Sequence, residues 1–212
     1  SIEMAGPSQT PQAAQGQIAK MFNLAPEKVT IELTRMGGGF GRRLNTDYAV
    51  EAAELSSIIK APVKVTWSRE DDMTGGIYRP AVRYRFKASI DKAGNMTGYM
   101  LHGASINAGN STRQDNFPAG AVENLLIQSN DYKSPITTGP WRAPITNFLA
   151  YAEQAFLDEV AMAGGKDPIQ FRLELLDKAQ QSPVGKITYE PNCFREVTKL
   201  VAEKAGWNKK KK

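Results

Sequence analysis

The sequence has very little of the residue types that build metal centres and disulfides. It contains one cysteine, Cys193, and one histidine, His102, among 212 residues. A single cysteine excludes an internal disulfide, and it excludes a Cys-rich zinc site or an iron–sulfur cluster built from this chain alone. A lone histidine has no second histidine with which to share a metal ion. We therefore assign no metal ligand in this sequence.

Long apolar runs are also absent. No stretch approaches the roughly 18 apolar residues of a membrane-spanning helix, so no membrane span is predicted. The N-terminal Ser-Ile-Glu-Met has neither the basic nor the apolar region of a signal peptide. We interpret this beginning as the interior of a longer protein.

Positive charge is concentrated at one end of the chain. The net charge is +5, and the four lysines at 209–212 supply most of this excess. A like-charged run at a terminus is usually a solvated tail. The three Trp and seven Tyr residues do not interleave with Arg or Lys as a base-stacking surface would. We predict a basic tail at 209–212 and no binding of nucleic acid.

Hydrophobic periodicity predicts an α/β crossover in the N-terminal part of the chain. Apolar residues recur at helical spacing over 11–22, and they alternate with polar residues, as in a strand, over 29–33. A glycine-rich stretch at 37–41 follows. A helix is predicted from residue 46 or 47 to about residue 60, and a second strand is predicted over 63–67.

The rest of the chain predicts a β-hairpin followed by helices. Alternating patterns predict strands over 82–90 and 96–106, joined by a turn that contains glycine. Residues 107–131 are rich in Asn, Gly and Ser, and they predict an ordered loop or short helices. Amphipathic patterns then predict helices over 151–162, 168–176 and 194–205.

This order of elements favours an α+β fold with mixed sheets packed against helices. We divide the chain into three segments. Residues 1–80 contain the strand, glycine loop, helix and strand. Residues 81–208 contain the hairpin and the helices, and residues 209–212 are the basic tail.

The sharpest motif is the loop MGGGFGRR at 36–43, between a predicted strand and a predicted helix. Clustered glycines let backbone N–H groups approach a ligand and take positive φ, and a following helix adds unpaired N–H groups. Such a loop suits a phosphate or another electron-rich oxygen. Neither the G-x-G-x-x-G pattern nor the P-loop pattern fits, however. From spacing alone, an anion-binding loop and a tight turn with two surface arginines both remain open.

The segment RMGGGFG at 35–41 resembles the signature of the xanthine dehydrogenase and aldehyde oxidase family. In that family a Gly-Gly-Phe-Gly loop lies against the molybdopterin cofactor, near the molybdenum. Upstream, SQTPQ at 8–12 is similar to a family segment whose glutamine hydrogen-bonds an oxygen ligand of molybdenum, and a count without gaps places that glutamine at Gln9. Downstream, SREDDM at 68–73 and NAGNS at 107–111 resemble two further family segments.

A second cofactor loop of the family is similar to GPWRAP at 139–144. Most members have Ala-Phe-Arg-Gly-Phe-Gly there, and the Pro-Trp-Arg form is similar to beta subunits of the isoquinoline 1-oxidoreductase branch. The ordered similarity continues into the helices and covers 9–176. It implies an α+β fold of the aldehyde oxidase/xanthine dehydrogenase molybdopterin-binding domain type. Residues 1–80 and 81–208 would then be parts of one domain.

The resemblance implies a molybdenum–molybdopterin cofactor and a set of residues that line its site. Gln9 is implied as the catalytic-site residue, because it corresponds to the glutamine that donates to the oxygen ligand. The glycine loop would supply backbone donors and close approach, and the second loop would hold the pterin. The cofactor-binding residues implied in this way are Gly38, Gly39, Phe40, Gly41 and Arg142.

Two substitutions after the glycine motif depart from the family pattern. Purine-oxidising members carry a carboxylate three residues after the last glycine of the motif, and Leu44 stands at that position here. A xanthine-type substrate is therefore not expected. Arg42 and Arg43 replace the glycine and lysine of many members. Recognition of phosphate or pterin oxygens by an arginine and a surface pair both remain open.

The family's catalytic base is a glutamate near the far C-terminus, so we expect it beyond Lys212. No glutamate of this chain lies in a glycine turn that could replace it. The glutamates on predicted helices are interpreted as solvated faces or caps; they are Glu51, Glu54, Glu153 and Glu159.

The resemblance implies a parent enzyme that hydroxylates an aldehyde or an N-heterocycle with oxygen from water. Molybdenum takes two electrons, and a small iron–sulfur subunit carries them away. The 212-residue chain alone is expected to fold but to be inactive, because the base and the later cofactor-binding segments lie outside it. The alternative is a non-enzymatic anion-binding or assembly domain, for which the glycine loop, Arg42 and Arg43 suffice.

Overall fold

The computed structural model describes residues 1–207 and divides them into two units. The first unit contains residues 1–80 and 134–144, and the second contains residues 81–133 and 145–207. The basic tail predicted at 209–212 lies outside the described residues. That both units belong to one domain stays a prediction. Within the described residues, none of the helices combines the length and the apolar character needed to cross a membrane.

The first unit begins with a β–α–β crossover that differs from the predicted one, because its first strand was not predicted from the sequence. Its helix starts at a proline, which suits a first helical position because the backbone N–H there has no partner within the helix. In chain order its elements are β1 (Ile2–Gly6), α1 (Pro11–Met21), β2 (Val29–Leu33), α2 (Asp47–Ile59) and α3 (Arg69–Gly75).

β1 and β2 pair in parallel, and α1 makes the crossover between them. The apolar faces of α1 and α2 pack together on this strand pair. The core of the unit consists of the buried residues Ile18, Ala19, Val29 and Ala53, surrounded by partly buried side chains from both strands. The strand pair and its two helices form the support on which the glycine loop stands, because that loop leaves the end of β2.

The second strand predicted for this unit, over 63–67, is not formed among residues 1–207. The side chains of Val63, Val65 and Trp67 are half-buried while their neighbours are exposed, so the predicted alternation is present. No strand among the described residues pairs with it, however. Alternation in a sequence indicates which side chains face the core, but it carries no information on whether a partner strand is present.

The second unit contains a three-stranded sheet followed by helices. Its order is β3–β4–β5, with β3 antiparallel and β5 parallel to β4. In chain order its elements are β3 (Val82–Ile90), β4 (Met96–Ile106), β5 (Asn124–Tyr132), α4 (Thr146–Ala163), α5 (Pro168–Gln181) and α6 (Pro191–Lys204).

The predicted β3–β4 hairpin is confirmed, and its turn is held by one side chain. Asp91 Oδ1 accepts hydrogen bonds from the backbone N–H groups of Ala93 and Asn95, at 2.8 and 2.9 Å. The expectation of only loops or short helices over 107–131 is wrong, because β5 occupies its last part. β5 is added to the sheet by parallel pairing with β4, and parallel pairing requires a long connection that leaves no local pattern.

The helices pack on one face of this sheet. Leu101 of β4, Leu157 of α4 and Phe171 of α5 are buried together, and the ring of Phe86 stacks on that of Phe156 with 5.0 Å between centroids. α5 starts where the Asp-Pro pair predicts, because the Asp167 carboxylate accepts from the first free N–H groups of the helix.

One glutamate of α4 was wrongly assigned to a solvated face. Glu153 is half-buried, and its Oε1 accepts a hydrogen bond of 3.0 Å from the hydroxyl of Tyr99 on β4. Burial raises the pKa of Glu153 to about 7, although the Tyr99 hydrogen bond acts in the opposite direction. Burial and the nearby Glu153 also raise the pKa of Tyr99. A carboxyl whose pKa is raised to about 7 therefore lies against the core of the second unit.

This pair predicts that the chain loses stability as the pH rises through neutrality. The folded-state pKa of Glu153 lies above its unfolded value, so its contribution is fully present below about pH 4.5 and is lost as the pH passes about 7. The shift corresponds to about 3 kcal/mol. We expect the free energy of unfolding, measured by urea denaturation, to fall by up to that amount between pH 5 and pH 8.

In Glu153→Gln this decline should be much smaller, because the amide still accepts from Tyr99 but does not ionise. The matched control is Glu159→Gln, an exposed position on the same helix, which should keep the wild-type pH profile. Identical profiles for the two variants would contradict the assignment.

Candidate functional site

The glycine loop, residues 34–41, leaves the end of β2 and meets the second loop, residues 139–144. Phe40 and Gly41 both take left-handed backbone conformations, with φ values of 48° and 91°. A β-carbon on Gly41 would lie 2.7 Å from the carbonyl oxygen of Pro140. Only glycine allows this conformation and this close approach at the same position. The contact therefore fixes the two loops against each other.

The second loop is held to the first unit by backbone hydrogen bonds. The N–H of Tyr78 donates to the carbonyl of Thr137 at 2.9 Å, and the N–H of Gly139 donates to the carbonyl of Tyr78 at 3.0 Å. The guanidinium of Arg142 then lies 5.7 Å from the ring centroid of Phe40, within the range of a cation–π contact. Phe40 is 56% exposed, so part of the residue remains accessible to a ligand.

Gln9, two residues before α1, lies against the glycine loop. Its backbone N–H donates to the carbonyl of Arg43 at 2.9 Å, and its Oε1 accepts from the N–H of Gly41 at 3.0 Å. Because the N–H of Gly41 needs an acceptor, this contact fixes which end of the amide is oxygen. The Nε2 donor makes no hydrogen bond with any residue of 1–207. A β-carbon on Gly39 would collide with this amide.

These contacts bring every residue that the sequence proposed for the cofactor site onto one unit. We call this group the loop cluster. It presents the Nε2 of Gln9, the guanidinium of Arg142 and an exposed glycine backbone, together with an aromatic ring. Hydrogen-bond donors without a carboxylate suit an electron-rich or anionic ligand. The members of the loop cluster are Gln9, Gly38, Gly39, Phe40, Gly41 and Arg142.

The two arginines that follow the loop have partners within the protein. The guanidinium of Arg42 makes two hydrogen bonds to the carboxylate of Asp47, at 3.1 and 2.9 Å. It also lies over the rings of Tyr48 and Trp67, at 5.6 and 5.5 Å from their centroids. Arg43 lies over Tyr48 at 5.0 Å. Arg42 therefore anchors the loop to α2, and the structure favours this role over recognition of phosphate.

A family model described as the molybdopterin cofactor-binding domain matches residues 1–176, and the chain belongs to this family. Isoquinoline 1-oxidoreductase subunit beta of Brevundimonas diminuta is 29% identical over 219 residues, which cover 96% of this chain and 26% of that protein. Membrane-bound aldehyde dehydrogenase (pyrroloquinoline-quinone) of Gluconacetobacter polyoxogenes is 28% identical, over 91% of this chain and 28% of that protein. The chain thus spans about a quarter of the length of these curated relatives.

The fold is shared with a solved structure. Quinoline 2-oxidoreductase from Pseudomonas putida 86 superposes with a TM-score of 0.72 over 95% of this chain and 28% of that chain, at 18% identity. The predicted family, the α+β fold of its molybdopterin-binding domain and the molybdenum–molybdopterin cofactor are confirmed. The name of the aldehyde dehydrogenase contains a different cofactor, pyrroloquinoline-quinone. The assignment of molybdopterin to this chain therefore rests on the family model. The donors of the loop cluster fit a molybdopterin, which is rich in acceptor atoms.

The contact between Gly39 and Gln9 predicts that valine is tolerated less well at Gly39 than at Gly37. In Gly39→Val the added side chain must displace the Gln9 amide and break its hydrogen bond with Gly41. We expect a loss of about 1–3 kcal/mol in the free energy of unfolding of the first unit. Gly37→Val is the matched control, because a β-carbon there meets nothing within 4 Å, and it should stay within about 0.5 kcal/mol of wild type. Equal losses would contradict the geometry of the loop cluster.

Proposed function

We propose that this chain is part of the large subunit of a molybdenum hydroxylase that acts on an aldehyde or an N-heterocycle. The observation that carries the proposal is the loop cluster, in which Gln9, the glycine loop and Arg142 lie together. The family match and the quarter-length share of the relatives support a longer parent protein. The names of the two relatives, an isoquinoline oxidoreductase and an aldehyde dehydrogenase, support the two substrate classes.

In this proposal the loop cluster binds and orients the cofactor. Arg142 and the exposed part of Phe40 hold the pterin, and the glycine backbone allows close approach without a side chain in between. When bound, the cofactor supplies the two-electron oxidation of the substrate carbon, and water supplies the oxygen. The protein holds and orients the cofactor and polarises the reacting groups, while the cofactor carries out the oxidation.

Gln9 is the residue we propose for the catalytic site. The hydrogen bond from Gly41 to its Oε1 holds the amide in one orientation, which leaves Nε2 as a fixed donor. A donor that is already in place stabilises negative charge as it develops, without the cost of reorganisation. Gly41 is then a positioning residue, because it acts through the Gln9 amide.

Two parts of the machinery are proposed to lie outside this chain. The loop cluster contains no carboxylate, so we propose that the catalytic base belongs to another part of the parent protein. Electrons need an iron–sulfur relay, and a chain with one cysteine cannot hold a cluster by itself. We therefore propose a small iron–sulfur subunit as the partner. The name "subunit beta" of one relative supports an enzyme of several subunits.

The role of Gln9 predicts a specific effect on turnover in the full-length parent enzyme. Gln9→Glu keeps an oxygen that accepts from Gly41 but replaces the Nε2 donor. We expect the cofactor content to stay close to wild type and kcat to fall roughly 10²- to 10³-fold, as for the loss of one preorganised donor. The measurements are molybdenum and pterin content and a dye-reduction assay with an aldehyde or an N-heterocycle.

The control for this experiment is Gln12→Ala, an exposed glutamine at the second position of α1, for which we expect wild-type turnover. Wild-type turnover by Gln9→Glu would show that Nε2 does not act on the reaction.

Leu44 predicts that the parent enzyme discriminates against purines. Its side chain is 38% exposed and offers no hydrogen bond, whereas a purine brings several ring nitrogens that need partners. Each such group left unpaired in a buried site costs about 1–3 kcal/mol. We expect kcat/KM for xanthine to lie at least roughly tenfold below that for an N-heterocycle with one ring nitrogen. Leu44→Glu should narrow this gap, and efficient xanthine turnover by the wild type would contradict the proposal.

A further inference from the structure

The sheet of the first unit has an open edge. Among the described residues β1 pairs with β2 alone, so the other edge of β1 has no partner there. Stable sheets usually contain more strands than two, and parallel strands are usually buried within larger sheets. The backbone N–H and C=O groups along this edge of β1 are therefore available to pair with another strand.

The segment of residues 62–67 lines the same space. The backbone of residues 62–67 makes no hydrogen bond with another described residue. The segment is nevertheless held in place, because Trp67 Nε1 donates to the Glu51 carboxylate of α2 at 2.9 Å. This contact also corrects the interpretation of Glu51 as a merely solvated residue. An ordered backbone whose N–H and C=O groups lack protein partners is the condition in which a strand accepts a neighbour.

Between β1 and this segment lies a cavity of about 1320 Å³, which we call the strand slot. Residues 1–8 and 62–69 line it, together with the alanines of α2, Ala49, Ala52 and Ala53. Ligand pockets usually measure roughly 300–1,000 Å³. A larger space lined by an unpaired strand, by residues 62–69 and by small apolar side chains of α2 has room for a further strand.

We propose that a β-strand of the longer parent polypeptide, outside residues 1–212, fills the strand slot. It pairs with β1 on one side and with residues 62–68 on the other, and so completes a four-stranded sheet. The proposal rests on the longer parent protein proposed above, but not on its catalytic activity. Most of the length of each relative lies outside the region that this chain matches, which is where such a strand is available.

The walls of the slot define the chemistry of the strand. Ile2, Met4, Val63 and Val65 are half-buried, whereas Glu3 and Lys64 are exposed. The inserted strand therefore has apolar residues at alternate positions, facing the helix, and polar residues between them. The remaining residues of this chain, Asn208 followed by four lysines, lack the apolar side chains that this requires.

Hydrogen exchange of the unmodified proteins tests the proposal directly. We expect the amides of residues 63–67 to exchange rapidly in the 212-residue chain and at least about a hundredfold more slowly in the parent protein. Leu101, in the centre of the second unit's sheet, is the control and should be protected in both. Rapid exchange of residues 63–67 in the parent overturns the proposal. Protection that appears in the isolated chain as its concentration rises also overturns it, because a second copy then fills the slot.

Cross-linking identifies where the strand comes from. Benzoylphenylalanine replaces Ala5, an exposed residue of β1 that lines the slot, in the parent protein, and irradiation is followed by peptide mass spectrometry. The expected product joins residue 5 to a segment of the same polypeptide outside residues 1–212. A product with another polypeptide, or with residues 1–212, overturns the proposal. Neither experiment depends on turnover, so a failure here is distinct from a failure of the proposed enzyme function.

Discussion

The candidate site depends on the close packing of Gly41. Its backbone is left-handed and buried, it lies under the carbonyl of Pro140, and its N–H holds the Oε1 of Gln9. One residue thus fixes the second loop and the glutamine at the same time. A side chain at this position would separate all three segments. The glycine loop therefore does more than allow a ligand to come close to the backbone. It also fixes the positions of the donors around it.

The rest of the first unit supports the glycine loop. The β1–α1–β2 crossover places Gln9, two residues before α1, next to the loop that leaves β2. Arg42 then ties the far end of the loop to α2 through Asp47. The sequence left open whether this arginine recognises a phosphate or lies at the surface, and its contacts show a third role as an anchor. Arg142 is therefore the arginine that belongs to the loop cluster. No observation favours the non-enzymatic alternative.

Local features were predictable from the sequence, and long-range pairing was not. The helices at Pro11–Met21 and Asp47–Ile59 and the β3–β4 hairpin follow from periodicity and turn residues. β1 and β5 were missed, because each is defined by a parallel partner far away in the chain. The burial of Glu153 was missed for the same reason, since its partner Tyr99 lies 54 positions away. The site residues came from a motif, but the pairing of Tyr78 with 137–139 that brings Arg142 beside Phe40 has no local signal.

An experimental structure of the cofactor-loaded parent protein tests the central claim most directly. The distance to measure joins Nε2 of Gln9 to the nearest cofactor atom. Our account predicts a hydrogen-bond distance of about 2.7–3.2 Å. Gly39 and Gly41 should lie against the same part of the cofactor, and Oε1 of Gln9 should still accept from the N–H of Gly41. A cofactor bound away from the glycine loop, or an Nε2 that donates to the protein instead, would contradict it.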